Sequence, residues 1–368
     1  MHFAFTEQQE EFRQAVRQVL AKECTTDRLR AAYDAPAART PRWATLAGLG
    51  VTGLSVPEAY GGLGLGLVDL VLLLEEAGAV GLPEPLVDTT ALAAPLLVGV
   101  QTAGHGAVDT PRDQRASRLD AWLAGIADGT VTAAVGPVPH GTHPVPIAGA
   151  DGADLLVLYS TGDGDTGAEV HVVEAGAVTV RTVSSLDPTR RLGIPHWAPT
   201  ADTLVLSGPP AAAAIRSLTD RAAVAVGAEL LGLTSTMIDT AAEYARERRQ
   251  FGAPIGSFQA VKHLLAGARV ALEFARPVVY AAAWSLDHHT DDASRSASVA
   301  KAYASDAAVE AARVSLQVHG AIGYTWECDL QLFLKRAWAL SESWGSAAEH
   351  RRRVLDSLVE DRVEVRGA

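Results

Sequence analysis

Apolar residues recur at three- and four-residue intervals on both sides of a short polar corner. Before it come Leu231, Leu233, Met237, Ile238, Ala241 and Tyr244; after it come Phe258, Val261, Leu264, Leu265, Ala268 and Leu272. Each set is one face of an amphipathic helix. Gly252, Pro254 and Gly256 lie between them as a helix stop, a fixed turn and a hinge, so the spacing predicts two helices folded back on each other. Helical patterning starts at about Ala211 and runs to the end, with breaks at this corner, at His288 to Ala293 and at Gly320 to Thr325. Four long helices with short turns predict an antiparallel bundle.

The rest of the chain has two other textures. Thr6-Glu7-Gln8-Gln9 is a capping box, and Phe12, Val16, Val19 and Leu20 follow as a buried helical face. Trp43, Leu46 and Leu49 mark a short helix ended by Gly48 and Gly50, and apolar helical periodicity resumes around Ala91 to Val100. From about Leu119 the runs become short and β-rich: Val131 to Val135, Asp154 to Ser160, Glu169 to Glu174, Val178 to Val183 and Asp202 to Leu206. Clusters of Gly, Asp, Pro and Thr separate them, which predicts a small antiparallel barrel or sandwich. The expected fold is mainly α with a small β domain: an N-terminal helical domain over 1–117, a middle β domain over 118–210 and a C-terminal four-helix bundle over 211–368.

Composition narrows the partners. The chain has 368 residues, 48% of them apolar, which is ample for two or three domains. A net charge of -12 argues against nucleic acid, which demands a basic face. A phosphate-bearing ligand would need a local basic patch, and Arg246, Arg248, Arg249 and Arg351 to Arg353 are the candidates. Cys24 and Cys328 lie far apart without a CxxC partner, so neither a disulfide framework nor a metal site is expected and a reduced cytoplasm is the default. No basic segment followed by an apolar one opens the chain. Leu65 to Leu74 is too short for a membrane span and is interrupted by Asp69.

The corner itself carries chemistry. Arg246-Glu247-Arg248-Arg249-Gln250-Phe251-Gly252 places two guanidinium groups, an amide and an aromatic ring within six residues. Arginine forks match pyrophosphate oxygens, although cations at a helix C-terminus also simply complement its dipole. The full string RERRQFGAPIGSFQAVKH resembles the acyl-CoA dehydrogenase family, whose Arg-x-Gln-Phe-Gly segment sits at a subunit interface. The resemblance implies that Arg248, Gln250, Phe251 and Gln259 contact the pyrophosphate and adenosine half of an FAD held mainly by a neighbouring subunit. A second string, Gln317-Val318-His319-Gly320-Ala321-Ile322-Gly323-Tyr324-Thr325, resembles the family's Gln-x-x-Gly-Gly-x-Gly-Tyr segment, whose backbone approaches the same adenosine. Gln317, Gly320, Ala321 and Gly323 are its contact positions, with Ala321 where the family has a second Gly. A third, Val56-Pro57-Glu58-Ala59-Tyr60-Gly61-Gly62-Leu63-Gly64-Leu65, matches a family loop and reads as a rigid turn without chemistry.

Two parts of the family pattern are missing. Its flavin ring is cradled by a Thr-Glu-Pro…Gly-Ser-Asp stretch and a later Trp-Ile-Thr; here the equivalent run is Thr132-Ala133-Ala134-Val135-Gly136-Pro137-Val138-Pro139-His140-Gly141. Its usual catalytic base is the Glu of a Glu-Gly-Thr segment, where this chain has Trp344-Gly345-Ser346, and Trp cannot accept a proton. Two carboxylates are weak substitutes. Asp220, beside Arg221, resembles an alternative family placement but reads more naturally as a helix N-cap. Glu342 is two residues from Trp344, about 200° round a continuous helix, and would face away. Adenosine-side motifs without a flavin-side cradle or base imply the partner subunit of a heteromeric acyl-CoA dehydrogenase, lending contacts to the FAD of a catalytic sister chain. Split enzymes of this kind in the family often act on bulky acyl-CoAs, including steroid side chains. The alternatives are a self-sufficient homotetramer using Asp220 or Glu342, and a flavin-free scaffold of the same fold. Electron-transfer flavoprotein is the electron acceptor the resemblance implies.

Overall fold

The computed structural model describes residues 4–35, 40–103, 112–138, 144–162 and 164–367. In chain order the helices begin with α1 (Glu7–Glu23), α2 (Thr26–Asp34), α3 (Pro41–Gly48) and α4 (Leu67–Ala79). A π-helical turn, Val87–Ala93, leads into α5 (Ala94–Ala103), and α6 (Arg112–Ala127) follows. The strands are β1 (Ala133–Pro137), β2 (Leu155–Ser160), β3 (Glu169–Glu174), β4 (Thr179–Thr182), β5 (Gly193–His196) and β6 (Leu204–Ser207). Next comes α7 (Gly208–Glu247), then a ribbon of β7 (Arg249–Gln250) and β8 (Ala253–Pro254). The chain ends with α8 (Gln259–Asp287), α9 (Ala293–His319), α10 (Leu330–Glu342) and α11 (Ala347–Gly367). It divides into two compact units, one of Met1–Arg30, Val71–Leu82 and Ala223–Ala368, the other of Ala31–Leu70 and Pro83–Ala222.

In the second unit, Trp43 is buried on α3 and its indole N–H donates to the Gly129 carbonyl at 2.9 Å. Arg42 and Glu84 form a buried ion pair at 2.7 Å. The turn at 57–65 is rigid, as its composition predicts. A Cβ on Gly62 would lie 2.1 Å from the Val56 carbonyl oxygen, and the Leu63, Gly64 and Leu65 amides donate to Gly53, Val56 and Leu54. The main sheet has the order β1-β2-β3-β6. It is mixed rather than wholly antiparallel, because β1 runs parallel to β2 while β2–β3 and β3–β6 are antiparallel. Ala134, Ile147, Ala150, Ala153, Leu156, Leu158 and Val173 form one core cluster against it. Strand β5 pairs antiparallel with β4 and has no counterpart among the five predicted runs. Its Gly193 and Pro195 read as turn residues, yet a Cβ on Gly193 would meet Val180 at 2.4 Å, so glycine is there to let the strands close.

The first unit is helical. The capping box holds: the Gln9 amide donates to Thr6 Oγ1 at 3.2 Å and the Thr6 amide to Gln9 Oε1 at 2.8 Å. Breaks fall where the pattern places them, between Asp287 and Ala293 and over a 3₁₀ turn at Gly320–Tyr324. The fourth predicted helix is divided, however, because α10 stops at Glu342. Trp344 and Gly345 have φ of +59° and +102°, which a right-handed helix cannot accommodate. Ser346 then caps α11, donating and accepting with Glu349. That Ser-x-x-Glu is a capping box legible in the sequence. Asp220 is a second correction: it is not an N-cap, since α7 begins twelve residues earlier at Gly208 and Asp220 is buried in its interior. Pro209-Pro210 in the first turn, where a missing N–H is harmless, is the sequence signal for that earlier start. Helix α7 is long and apolar enough to cross a membrane by length and composition, but 83% of its most apolar window is buried inside the protein.

Helices α4 and α7 meet backbone to backbone. A Cβ on Gly232 would stand 1.9 Å from the Glu75 carbonyl oxygen, and one on Gly78 would stand 2.0 Å from that of Glu229. Gly232→Ala must push the helices apart and is expected to destabilise by about 3 kcal/mol or more. Urea unfolding of the variant, with an unchanged midpoint counting against this contact, is the check.

Candidate functional site

The corner after α7 is a two-residue hairpin. Arg249 pairs with Pro254 and Gln250 with Ala253, leaving Phe251 and Gly252 at the tip with φ of +51° and +81°. Positive φ at both tip positions is the type I′ hairpin turn, and holding an aromatic residue there is strained. The turn is fixed from within: the Ile255 amide donates to the Arg248 carbonyl at 2.8 Å, and the Arg249 guanidinium donates to the Gly252 carbonyl at 3.1 Å. Arg249 is therefore used structurally. Arg248, Gln250 and Gln259 project into solvent, with no side-chain partner among the described residues. Phe251 is 94% exposed and meets Phe258 edge to face, at 6.3 Å between centroids.

The second segment emerges at the same end of the first unit. The Ser315 hydroxyl donates to the Met237 carbonyl at 2.9 Å, and one turn further along the His319 ring stacks on Tyr244, centroids 4.4 Å apart. Helices α7 and α9 thus run in the same direction and end together. His319 is buried and its Nδ1 lies 2.8 Å from the Ser315 carbonyl, which can only accept, so Nδ1 carries the proton. Burial holds its pKa below the ordinary value despite that hydrogen bond, so the ring is neutral. Gly320 has φ of +63° and ψ of -138°, a conformation open to glycine alone, and nothing lies within 4 Å of where its Cβ would be. Gly323 is glycine for another reason, because a Cβ would meet Leu316 at 2.9 Å. Gln317 and Ala321 are exposed.

The donor set fits the phosphate and adenosine half of a dinucleotide. It offers a free guanidinium, three free amide side chains, an exposed ring and an open glycine backbone at one end of a bundle. The corner lends positive charge without a carboxylate bound to Arg248. With FAD bound, the flavin would accept hydride and the residues named here would orient the other end of the molecule. Arg248 and Gln250 hold their donors outward from a braced hairpin, and the Tyr244–His319 stack fixes the spacing between the two segments.

Other predicted positions lie elsewhere. Trp344 sits in the α10–α11 turn, half-buried. This turn is tied to Lys301 on α9, eighteen residues before His319, or about 27 Å of helix. Because α10 ends at Glu342, the angular argument that turned this carboxylate from residue 344 does not apply; Glu342 is exposed. Asp220 is buried in the second unit. The Thr132 hydroxyl and amide both bond to Asp154, each at 2.8 Å, so this hydroxyl serves the sheet. Pro139, His140 and Gly141 lie outside the described residues.

The residue that sequence reasoning missed is Lys301. Fully buried on an alanine-lined helix, it donates to Ser305 Oγ at 3.0 Å and to the Ser341 and Gly345 carbonyls at 2.8 and 3.0 Å. A lone cation within an otherwise small, uncharged helical face was the available signal. Among the described residues no cluster of three His, Cys, Asp or Glu side chains could hold a metal, and Cys24 and Cys328 are both free.

The donors displayed by the corner and the α9 loop suit the phosphate-bearing end of a flavin dinucleotide, the cofactor of one class of oxidoreductase, and comparison with known proteins supplies the family. The acyl-CoA dehydrogenase N-terminal domain model matches residues 6–101 and the C-terminal domain model residues 212–359. The acyl-CoA dehydrogenase IpdE2 of Mycolicibacterium smegmatis is 31% identical over 95% of this chain and 98% of its own. Among solved structures, a steroid acyl-CoA dehydrogenase variant, Tcur3481-Tcur3483, superposes with a TM-score of 0.80 at 26% identity, covering 97% of this chain and 99% of that one. The ChsE4-ChsE5 complex of Mycobacterium tuberculosis shares the fold, with a TM-score of 0.81 at 24% identity over 98% and 99% of the two chains. The chain belongs to the acyl-CoA dehydrogenase family. Its cofactor is FAD, and its fold is the family's: mainly α, with a small mixed sheet and a C-terminal helical bundle.

Lys301 gives the α10–α11 turn a pH signature. Burial pushes its ammonium down from 10.5 to about 8, against the opposing pull of Glu342 and Glu349. Its folded value lies below its unfolded one, so the unfolded chain binds more protons between them; the stability it contributes is full above pH 10.5 and lost as pH falls through 8. Relative to Lys301→Met, the wild type is expected to gain roughly 3 kcal/mol across that window. Parallel stability profiles for the two proteins would exclude a depressed lysine.

Proposed function

We propose that this chain is the partner subunit of a heteromeric acyl-CoA dehydrogenase, lending its corner and α9 loop to the adenosine half of an FAD whose flavin end, substrate and base belong to a sister chain. The observation that carries this reading is the asymmetry between the two ends of α9. At one end Arg248, Gln250, Gln259 and Gln317 are free and displayed; about 27 Å away along the helix, the position of the family's base is occupied by a tryptophan. A chain serving its own flavin would need a proton acceptor there, because removal of the weakly acidic proton beside the thioester requires a carboxylate in a dry pocket. Glu342 is exposed, and nothing here desolvates it.

Exposed apolar side chains on α8 support an oligomer. Val270 and Phe274 stand one turn apart on the same side of the helix, exposed to 53% and 66%. Scattered exposed hydrophobics need no explanation, but a large apolar pair of this kind suits a helix of another subunit. The related IpdE2 is itself named an acyl-CoA dehydrogenase, and ChsE4-ChsE5 is a complex of unlike chains; a heterotetramer acting on a bulky acyl-CoA, with electron-transfer flavoprotein as electron acceptor, is the assembly we infer. The second reading, a homotetramer using Asp220, rests on the burial of that carboxylate in α7.

The visible absorption spectrum and native mass of the chain, purified alone and with its sister, test the assignment. Flavin is expected only in the mixed assembly, at one FAD per pair of unlike chains. A lone chain that is yellow at one FAD each and bleaches with an acyl-CoA would overturn it and make Asp220→Asn the next variant. Within the mixed assembly, Arg248→Ala is expected to weaken FAD retention by about 10- to 100-fold, the loss of one charge-assisted hydrogen-bonding group. Equilibrium release of flavin fluorescence on dilution measures it.

A further inference from the structure

We infer that Lys301 and His350 form a backbone clamp that positions residue 344, and that this clamp is indifferent to the side chain standing there. The inference rests on the reading of 344 as the base position of the family. A helix C-terminus followed by left-handed residues leaves several carbonyls without partners. Here those of Ser341, Trp344 and Gly345 are met by side chains from inside the bundle. Lys301 donates to the Ser341 and Gly345 carbonyls, and His350 Nε2 donates to the Trp344 carbonyl at 2.9 Å. The third ammonium proton goes to Ser305 Oγ, which also approaches the Ser341 carbonyl at 3.4 Å.

Three features separate a clamp from ordinary capping. Both donors are buried, Lys301 completely and His350 to within 1%. The ammonium also has no carboxylate in hydrogen-bond contact; the charged groups acting on it are Glu342 from α10 and Glu349 from α11, both exposed. Burying an unpaired charge is costly; what the lysine supplies against that cost is three donors, which no neutral side chain of that length provides. Finally, the clamp leaves no room for variation at its edge, since a Cβ on Gly345 would lie 2.9 Å from His350 Nε2.

The contacts by which Lys301 and His350 hold residues 341, 344 and 345 end on backbone oxygen. The seat for a base is therefore built and held although the residue in it cannot act as one. Lys301 and His350 are positioning residues: they determine where residue 344 is, not what it does.

Hydrogen exchange followed by mass spectrometry on the full chain separates this from a general packing role. In Lys301→Met, exchange in a peptide spanning 340–350 is expected to rise about tenfold, while the 248–259 hairpin stays as protected as in the wild type. Trp344→Glu is expected to leave the 340–350 peptide protected. The inference fails if Lys301→Met loosens both segments alike or neither, or if Trp344→Glu loosens the turn as much as loss of the lysine. Should Lys301→Met not fold, His350→Phe removes the second arm and is expected to loosen 340–350 selectively, with uniform loosening counting against the clamp. Flavin plays no part in this readout, so a failed clamp and a failed partner-subunit assignment are distinguished.

Discussion

The first unit depends on one place where no side chain fits. Gly78 and Gly232 let α4 lie directly on the backbone of α7, and that contact fixes where the acidic pair on α4 stands. Glu76 accepts from Arg13 and Arg17, and Glu75 accepts from Arg276 and the Tyr280 hydroxyl, so α1 and α8 are both tied to α4 through charge. Burial alone would raise the Glu76 carboxyl, but the two guanidinium groups outweigh it and hold the group below its ordinary range. Tyr280 is pushed far up by burial and by the neighbouring Glu75 carboxylate, so its hydroxyl keeps its proton and remains a donor. Removing one member of such a network strands its partner's charge in a poorly solvated place, which is worse than never having had the pair.

Backbone strain marks the same positions as chemistry. Four non-glycine residues among those described have positive φ, and two of them are aromatic residues followed by glycine: Phe251-Gly252 in the corner and Trp344-Gly345 in the base-position turn. A left-handed backbone at a bulky residue costs on the order of 1 kcal/mol. It persists only where the surroundings over-determine it. In the corner the surroundings are the β7–β8 pairing and Arg249; in the turn they are Lys301 and His350. The first displays its neighbours to solvent, while the second holds a half-buried ring at the position we read as the family's base site.

Much of this was legible in the sequence because it depends on local rules. The Thr6 capping box, the breaks at 288–293 and 320–325, and the extents of β2 and β3 all follow from nearest-neighbour chemistry. What was not legible depends on partners distant in the chain. Strand β5 carries Gly193 and Pro195, and only the proximity of Val180 shows why a turn-like string is a strand. The direction of β1 against β2 is not a property of either run. Asp220 has the residue type of a cap but lies within α7, whose true start is set by Pro209 and Pro210. Lys301 was invisible as a site element because its three acceptors come from residues 4, 40 and 44 positions away.

The interior face of α9 is built almost wholly from alanine and serine, with Lys301, Val314, Val318 and His319 the larger exceptions. Helices separated by so thin a layer of side chains leave little volume to give. Sequence drift on this face is confined to exchanges among glycine, alanine and serine unless a neighbouring helix loses volume in the same step. Related chains that carry a bulky residue on this stripe should show a compensating small one across from it on α7, α8 or α10. The bundle would therefore leave a record in its lineage of paired changes rather than single ones.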